Sequence, residues 1–260
     1  MEETILHYEG MALTGIKLQA GQWSRAELEQ KVRDLKPRVA VFDCDGTLWG
    51  GDAGLGFMEW TLEQGIVSRS TADWIDTRYR AYRAGDVSEV QICGEMVQIY
   101  AGLREDELRR VAAEYVRQFV RPRIFAEMLE IAARVREVGA DIWAVSSTNK
   151  WVICEGLRAF GIPEERVLAA EVAVKDGAIT SDIVDVPTDE GKVAALVRVG
   201  VRRPDAVFGN SIHDVAMLEI AVSPFAINPS AGLLEAAVRH GWGYYRPEGA
   251  QGAPADTTGA

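Results

Sequence analysis

With 260 residues, 48% of them hydrophobic, the chain is long enough to bury a real core and to hold one domain plus a sizeable insertion. Its net charge of −11 argues against nonspecific nucleic-acid binding, which relies on Lys and Arg to neutralise phosphates, and it repels a phosphorylated substrate unless local cations intervene. Three cysteines (Cys44, Cys93, Cys154) without metal-ligand spacing, an acidic start Met1-Glu-Glu, and no apolar stretch near the ~18 residues of a membrane span point to reduced thiols, a cytoplasmic location and no membrane partner.

In chain order, residues 1–23 show no clear period and read as a leader, packed on the core or loose. Ser24-Arg-Ala-Glu27 has the form of a capping box and opens a helix to about Lys36. Val39-Ala-Val-Phe42 is an unbroken apolar run that suits an interior strand of a parallel sheet, where ligands sit beyond the carboxyl ends of the strands. It ends in Asp43-Cys-Asp45-Gly46-Thr47. Two carboxylates so close repel each other and lose hydration unless a cation holds them, so the pair points to a hard divalent ion, with Mg2+ the default. Gly46 permits a tight turn, and Thr47 offers a hydroxyl and an N–H to an anion. The alternative is an ordinary Asp-rich turn. Strand alternation turns Cys44 away from the two acids and makes it a small core residue.

Helical patterns follow over Phe57 to Ile66, Thr71 to Ala84, Ser88 to Tyr100 and Glu105 to Phe119, with Val90, Cys93, Val97 and Tyr100 marking one apolar stripe. Pro122 fits the first turn of a helix to about Val138 that Gly139 stops. Ile142 to Val145 is a second apolar strand ending in Ser146-Ser147, Trp151 to Phe160 is helical, and Val167 to Val184 alternates around Lys175-Asp-Gly177 as a hairpin. Lys192 to Val199 is a helix, Ala206 to Phe208 a buried strand, Val215 to Ala221 a helix and Pro224 to Asn228 a strand. This alternation predicts an α/β fold, a three-layer doubly wound parallel sheet. The expected organisation is a leader and helix at 1–36, a core at 37–50 and 120–245, helices at 51–119, and a mobile tail at 246–260, rich in Gly, Ala, Pro and Thr.

Several polar residues end strands or open helices. Ser146 could simply close its strand or bind a phosphate. Lys192 in a first helical turn opposes the helix dipole, which is easier to explain if it meets an anion. Asp214 could be an ordinary first-turn acid or a metal ligand; Asn210 can ligate through its amide oxygen but brings no charge; His213 could contact a phosphate or cap its loop.

Taken together, these segments resemble the haloacid dehalogenase superfamily of phosphohydrolases. Asp43 to Thr47 matches its DxDGT motif, Ile142 to Ser147 its second strand, Gly191-Lys192-Val-Ala-Ala-Leu196 its motif lysine, and Gly209-Asn210-Ser-Ile-His213-Asp214 its GDxxxD, with Asn where the first Asp usually stands. The resemblance runs from Arg38 to Pro229. It implies a Rossmannoid core with a helical cap inserted after the first strand. It further implies Asp43 as nucleophile and Asp45 as acid and base, with Mg2+ held by Asp43, the Asp45 carbonyl, and Asp214 or Asn210. Thr47, Ser146, Ser147, Lys192 and His213 would then serve the phosphate. Asp45 favours phosphate transfer, since dehalogenases resemble DxYGT instead.

The cap position resembles the phosphoserine phosphatase branch, in which a Glu nine residues after the nucleophile meets the substrate amine; Asp52 holds that offset. Met96 stands where that branch has an Arg for the carboxylate, unless Arg78, Arg80 or Arg83 substitutes. Trp49, Trp60 and Trp74 could form an aromatic cage or belong to the core. The expected activity is a Mg2+-dependent phosphomonoesterase acting on a small phosphorylated metabolite through an aspartyl-phosphate. A phosphoethanolamine- or phosphocholine-type phosphatase and a catalytically weak phosphate-binding protein are the alternatives, and the oligomeric state is open.

Overall fold

The computed structural model describes residues 21–250. Helix α1 (Arg25–Leu35) opens at Ser24, whose hydroxyl accepts from the Glu27 N–H while the Glu27 carboxylate accepts from the Ser24 N–H at 2.7 Å, the capping box read from sequence. Strand β1 (Val39–Phe42) is followed by four helices, α2 (Ala53–Glu63), α3 (Arg69–Arg83), α4 (Glu89–Gln98) and α5 (Glu105–Tyr115), the last continued by a π-helical turn over Val116–Val120. Then come α6 (Ala126–Glu137), β2 (Asp141–Asn149), α7 (Lys150–Leu157), β3 (Val167–Lys175) and β4 (Ala178–Asp185). The chain continues through α8 (Glu190–Arg198), β5 (Ala206–Gly209), α9 (Val215–Glu219), β6 (Ser223–Ile227), α10 (Ala231–His240) and β7 (Tyr244–Tyr245).

The seven strands form one sheet in the order β4-β3-β2-β1-β5-β6-β7. All neighbours are parallel except β3 and β4, the predicted hairpin, whose turn residues Asp176 and Gly177 both take positive φ. Strand β1 lies between β2 and β5, so the connections depart from it in opposite directions. Its carboxyl end is therefore the switch point where an α/β sheet leaves a crevice for ligands.

Period-two alternation explains the layers. Ala40 and Phe42 of β1, Ile142 and Ala144 of β2, Phe208 of β5 and Phe225 of β6 face one side, packed with α1, α6, α7 and the inserted helices. Val41, Trp143, Val145, Val207 and Ala226 face the other, against Leu196 of α8, Met217 and Leu218 of α9, and Leu233 and Ala236 of α10. Phe42 stacks on Phe208 at 4.4 Å between ring centroids, and Phe208 on Phe225 at 4.7 Å, tying three adjacent strands on one face.

Some elements depart from expectation. Helix α6 begins at Ala126 rather than at Pro122, which sits in a 3-10 turn over Arg121–Arg123. The reason is tertiary: the Phe125 N–H donates to Leu48 O and the Gly50 N–H to Arg123 O, each at 3.0 Å, which holds Ile124 and Phe125 extended against the loop after β1. Helix α10 and strand β7 were not anticipated. Arg246 and Glu248, grouped by composition with a mobile tail, are held instead: Arg246 donates to Pro229 O at 3.2 Å and the Glu248 N–H to the buried Glu127 carboxylate at 2.7 Å. Residues 251–260 of that tail, and the leader up to residue 20, lie outside the described residues. Trp23 ends the leader on β7, its N–H donating to Tyr244 O at 2.7 Å.

Candidate active site

A cavity of about 1060 Å³ opens at the carboxyl end of β1. Its floor comes from the loops after β1, β2 and β5 together with α8; its roof comes from α3 and α4, through Tyr79, Tyr82, Glu89, Cys93 and Met96.

The floor is built around Lys192. Its Nζ lies 2.8 Å from Asp43 Oδ1 and 2.5 Å from Asp214 Oδ1, and all three side chains are buried. Asp43 Oδ2 accepts the Thr47 hydroxyl at 2.7 Å. Asp214 Oδ2 accepts the N–H groups of Asn210 and Ser211, each at 2.9 Å. One ammonium between two buried carboxylates leaves an excess negative charge. Burial, and then the charge of Asp214, push the Asp43 carboxyl up to about 7 against the pull of Lys192. For Lys192 burial alone favours the neutral amine, but Asp214 and Asp43 outweigh it and hold its pKa above the ordinary value.

Gly46 and Gly209 make this packing possible. Gly46 has φ +72°, and a Cβ there would meet the Asn210 amide nitrogen at 1.9 Å; a Cβ at Gly209 would meet the Asp214 Cβ at 2.7 Å.

Asp45 is held separately. Its Oδ1 accepts the Trp49 indole N–H at 2.6 Å and the Ala53 N–H at 2.9 Å, and its Oδ2 accepts the Thr148 hydroxyl at 2.7 Å. Burial, and then the charge of Asp52, push its carboxyl up to about 6, a value at which a group can both give and take a proton near neutral pH.

The sequence-predicted residues Asp43, Asp45, Asp52, Ser146, Ser147, Lys192, Asn210 and His213 all line the cavity; Thr47 and Asp214 stand directly behind it, bonded to Asp43 and Lys192. The Ser146 hydroxyl accepts the Thr148 N–H at 3.1 Å. His213 contacts Asp189 through Nδ1 at 2.8 Å. Asp52 caps α2, accepting the Leu55 N–H at 2.8 Å.

The tryptophan cage is not formed. Trp49 is fully buried with its indole on Asp45, Trp60 packs with Phe57, Tyr115 and Phe119, and none of the three tryptophans lines the cavity, whose cap-side aromatics are Tyr79 and Tyr82. Arg78, considered as a substitute carboxylate binder, is committed to Glu95 through contacts of 2.8 to 3.0 Å. Arg123 and Arg246 line the cavity instead.

Residues missed at the sequence level include Thr148, Asp189 and Glu89. Thr148 had a signal, the run of hydroxyls Ser146-Ser147-Thr148 at the end of an apolar strand. Glu89 had none, since nothing local tells a first-turn helix acid from a cavity wall.

The donors suit a hard divalent cation, with one qualification. Among the described residues no three His, Cys, Asp or Glu side chains converge as a metal site. The two carboxylates that share the Lys192 ammonium already favour a cation, and neutral oxygens such as the Asp45 carbonyl or the Asn210 amide would complete the set for Mg2+.

Comparisons with known proteins bear on the family and the fold. The family model for haloacid dehalogenase-like hydrolases matches residues 40–219. Among curated relatives, a histidinol-phosphatase of Neisseria meningitidis serogroup C (strain 8013) is 23% identical over 215 residues, covering 78% of this chain and 96% of that protein. Among solved structures, a protein of unknown function from Bordetella pertussis Tohama I is 26% identical with a TM-score of 0.72, covering 80% of this chain and 97% of that one. A substrate-bound phosphoserine phosphatase shares the fold at 15% identity and a TM-score of 0.54, covering 80% of this chain and 92% of its own. The matched span takes in β1 at the switch point and each of the polar residues gathered around it, and the chain belongs to the haloacid dehalogenase-like hydrolase family.

Proposed function

We propose that the protein is a Mg2+-dependent phosphatase of small phosphorylated metabolites, similar to phosphoserine phosphatases, working through an aspartyl-phosphate on Asp43. The observation that carries this reading is the separation of two raised carboxylates in one cavity, Asp43 facing Lys192 and Asp45 facing Thr148. An oxygen of Asp43 attacks phosphorus as the bond to the leaving oxygen breaks, and Asp45 gives that oxygen a proton. Water then attacks the phosphoaspartate, and the ionised Asp45 takes its proton, freeing phosphate and restoring Asp43.

Lys192, the Ser146 hydroxyl and the Ser147 N–H are disposed to meet the transferring oxygens, with Thr47 holding Asp43 and His213 near the phosphate. Mg2+, bound by Asp43, Asp214, the Asp45 carbonyl and Asn210, would neutralise phosphoryl charge and offset the repulsion between the site acids and a phosphate dianion. The inserted helices α2–α5 act as the cap, and Asp52 contributes to choosing the leaving group.

Turnover of p-nitrophenyl phosphate with added Mg2+, with excess chelator, and in Asp43→Asn tests the proposal. The expected result is activity only in the first case. Full activity in chelator would remove the metal from the reading, and an active, folded Asp43→Asn protein would remove the nucleophile. Inactivity of the wild-type protein towards p-nitrophenyl phosphate and towards a panel of phosphorylated metabolites would favour the phosphate-binding alternative.

A further inference from the structure

The roof of the cavity carries a carboxylate that the chemistry above does not use. Glu89 is the first residue of α4 and faces the cavity. Its Oε2 is buried and has no hydrogen-bond partner, while its Oε1 accepts the Cys93 thiol at 3.5 Å, a weak donor, and the Tyr82 hydroxyl is another side-chain neighbour of the carboxylate. His213 stands with its Nε2 3.9 Å from Oε2, too far for a hydrogen bond, and its Nδ1 already engages Asp189. The cavity's two arginines lie against other walls, Arg123 beside Gly51 and Arg246 at Pro229. A desolvated carboxylate oxygen without a donor is costly unless a ligand supplies one.

The surroundings specify the charge of that ligand. Tyr79 and Tyr82 line the same wall with ring centroids 5.8 Å apart, offering π faces of the kind that attract cations. Burial first, and then the charges of Glu89 and Asp52, hold the Cys93 thiol well above its ordinary value, so both carboxylates act on this wall.

Resting on the phosphatase reading above, we propose that Glu89, beside Tyr79 and Tyr82, is a specificity-determining residue that selects phosphomonoesters whose leaving group carries a protonated nitrogen. The phosphate sits on the floor at Lys192 and Ser146, and the leaving group extends to the roof, where its ammonium donates to Glu89 Oε2 against the tyrosine faces. A neutral leaving group of the same length leaves that oxygen without a donor; an anionic one is repelled.

The test compares phosphoethanolamine with ethyl phosphate, which lacks the ammonium, in the full-length protein. We expect wild-type kcat/KM to favour phosphoethanolamine by about tenfold or more, the range for one charge-assisted hydrogen bond. Glu89→Gln, which keeps volume and removes charge, should lower that ratio about tenfold, chiefly through KM. Glu89→Asp should retain part of it, and Tyr79→Leu should lower it several-fold, outcomes that a merely structural Glu89 would not produce. A wild-type ratio near one, or a ratio that Glu89→Gln leaves in place, overturns the proposal. Calorimetric binding of the same two compounds to Asp43→Asn and to Asp43→Asn with Glu89→Gln decides the point without turnover. Failure of all hydrolysis therefore counts against the phosphatase reading, while loss of selectivity in both assays counts against Glu89.

Discussion

The hydroxyl of Thr148 donates to Oδ2 of Asp45 at 2.7 Å, joining the loop after β2 to the loop after β1. The protonation of Asp45 is set by burial, the charge of Asp52, and three donors: Thr148, the Ala53 N–H and the Trp49 indole.

Thr148→Val removes one of those donors at nearly constant shape. Because the hydroxyl favours the ionised carboxylate, its loss should raise the Asp45 carboxyl further above about 6. The alkaline limb of kcat/KM, where the general acid is lost, should move to higher pH, and kcat should fall about ten- to a hundredfold. A pH profile that does not move would assign the proton to another group.

Lys192→Met should lower kcat/KM by roughly ten- to a thousandfold, the range for one lost donor to a developing phosphoryl charge. It also leaves Asp43 and Asp214 buried without the ammonium between them, so the melting temperature in chelator should drop, and Mg2+ should recover more of it than in the wild type. Wild-type kinetics in this variant would remove Lys192 from phosphate binding.

The pH dependence of stability follows from the raised acids. Asp43 at about 7 and Asp45 at about 6 both lie above their unfolded values, so the stability they contribute is complete below the unfolded value, falls progressively as the pH rises, and is fully lost once the pH passes about 6 for Asp45 and about 7 for Asp43. Carboxylates held low, such as Glu127 and Glu164, act in the opposite sense, but at lower pH. Denaturant titrations in chelator should therefore show stability falling from about pH 4.5, where the unfolded carboxylates have lost their protons, to about pH 7, and Mg2+ should flatten the slope. A flat profile in chelator would mean that the acids are not raised together.

Asn210→Asp places a carboxylate where the amide now lies against Gly46. It should lower the Mg2+ concentration for half-maximal activity and, by adding repulsion around Asp43, lower the melting temperature in chelator. An unchanged metal titration would take Asn210 out of the coordination shell.

The features legible in the sequence are those governed by local order. An apolar run ending in Asp43 and Asp45 must be a buried strand that delivers acids to its carboxyl end, and the capping box at Ser24 and Glu27 fixes the start of α1. The alternation of β2, β3, β5 and β6 with helices required a parallel layered sheet. Where expectation and structure part, a distant partner overrides local preference. Pro122 is suited to a helix start, but pairing of residues 123–125 with the loop after β1 keeps Ile124 and Phe125 extended before Ala126.

The site divides in the same way. Residue type and spacing marked Asp43, Asp45, Ser146, Lys192 and Asp214, because each closes a strand or opens a helix next to one. Only the tertiary structure brought Lys192 between two carboxylates, gave Asp45 its donor at Thr148 across 103 positions of sequence, and turned Glu89 from a cap helix onto the cavity. The physical reason is that sequence periodicity reports which face of an element is buried, whereas charge balance and desolvation depend on which other elements bury it.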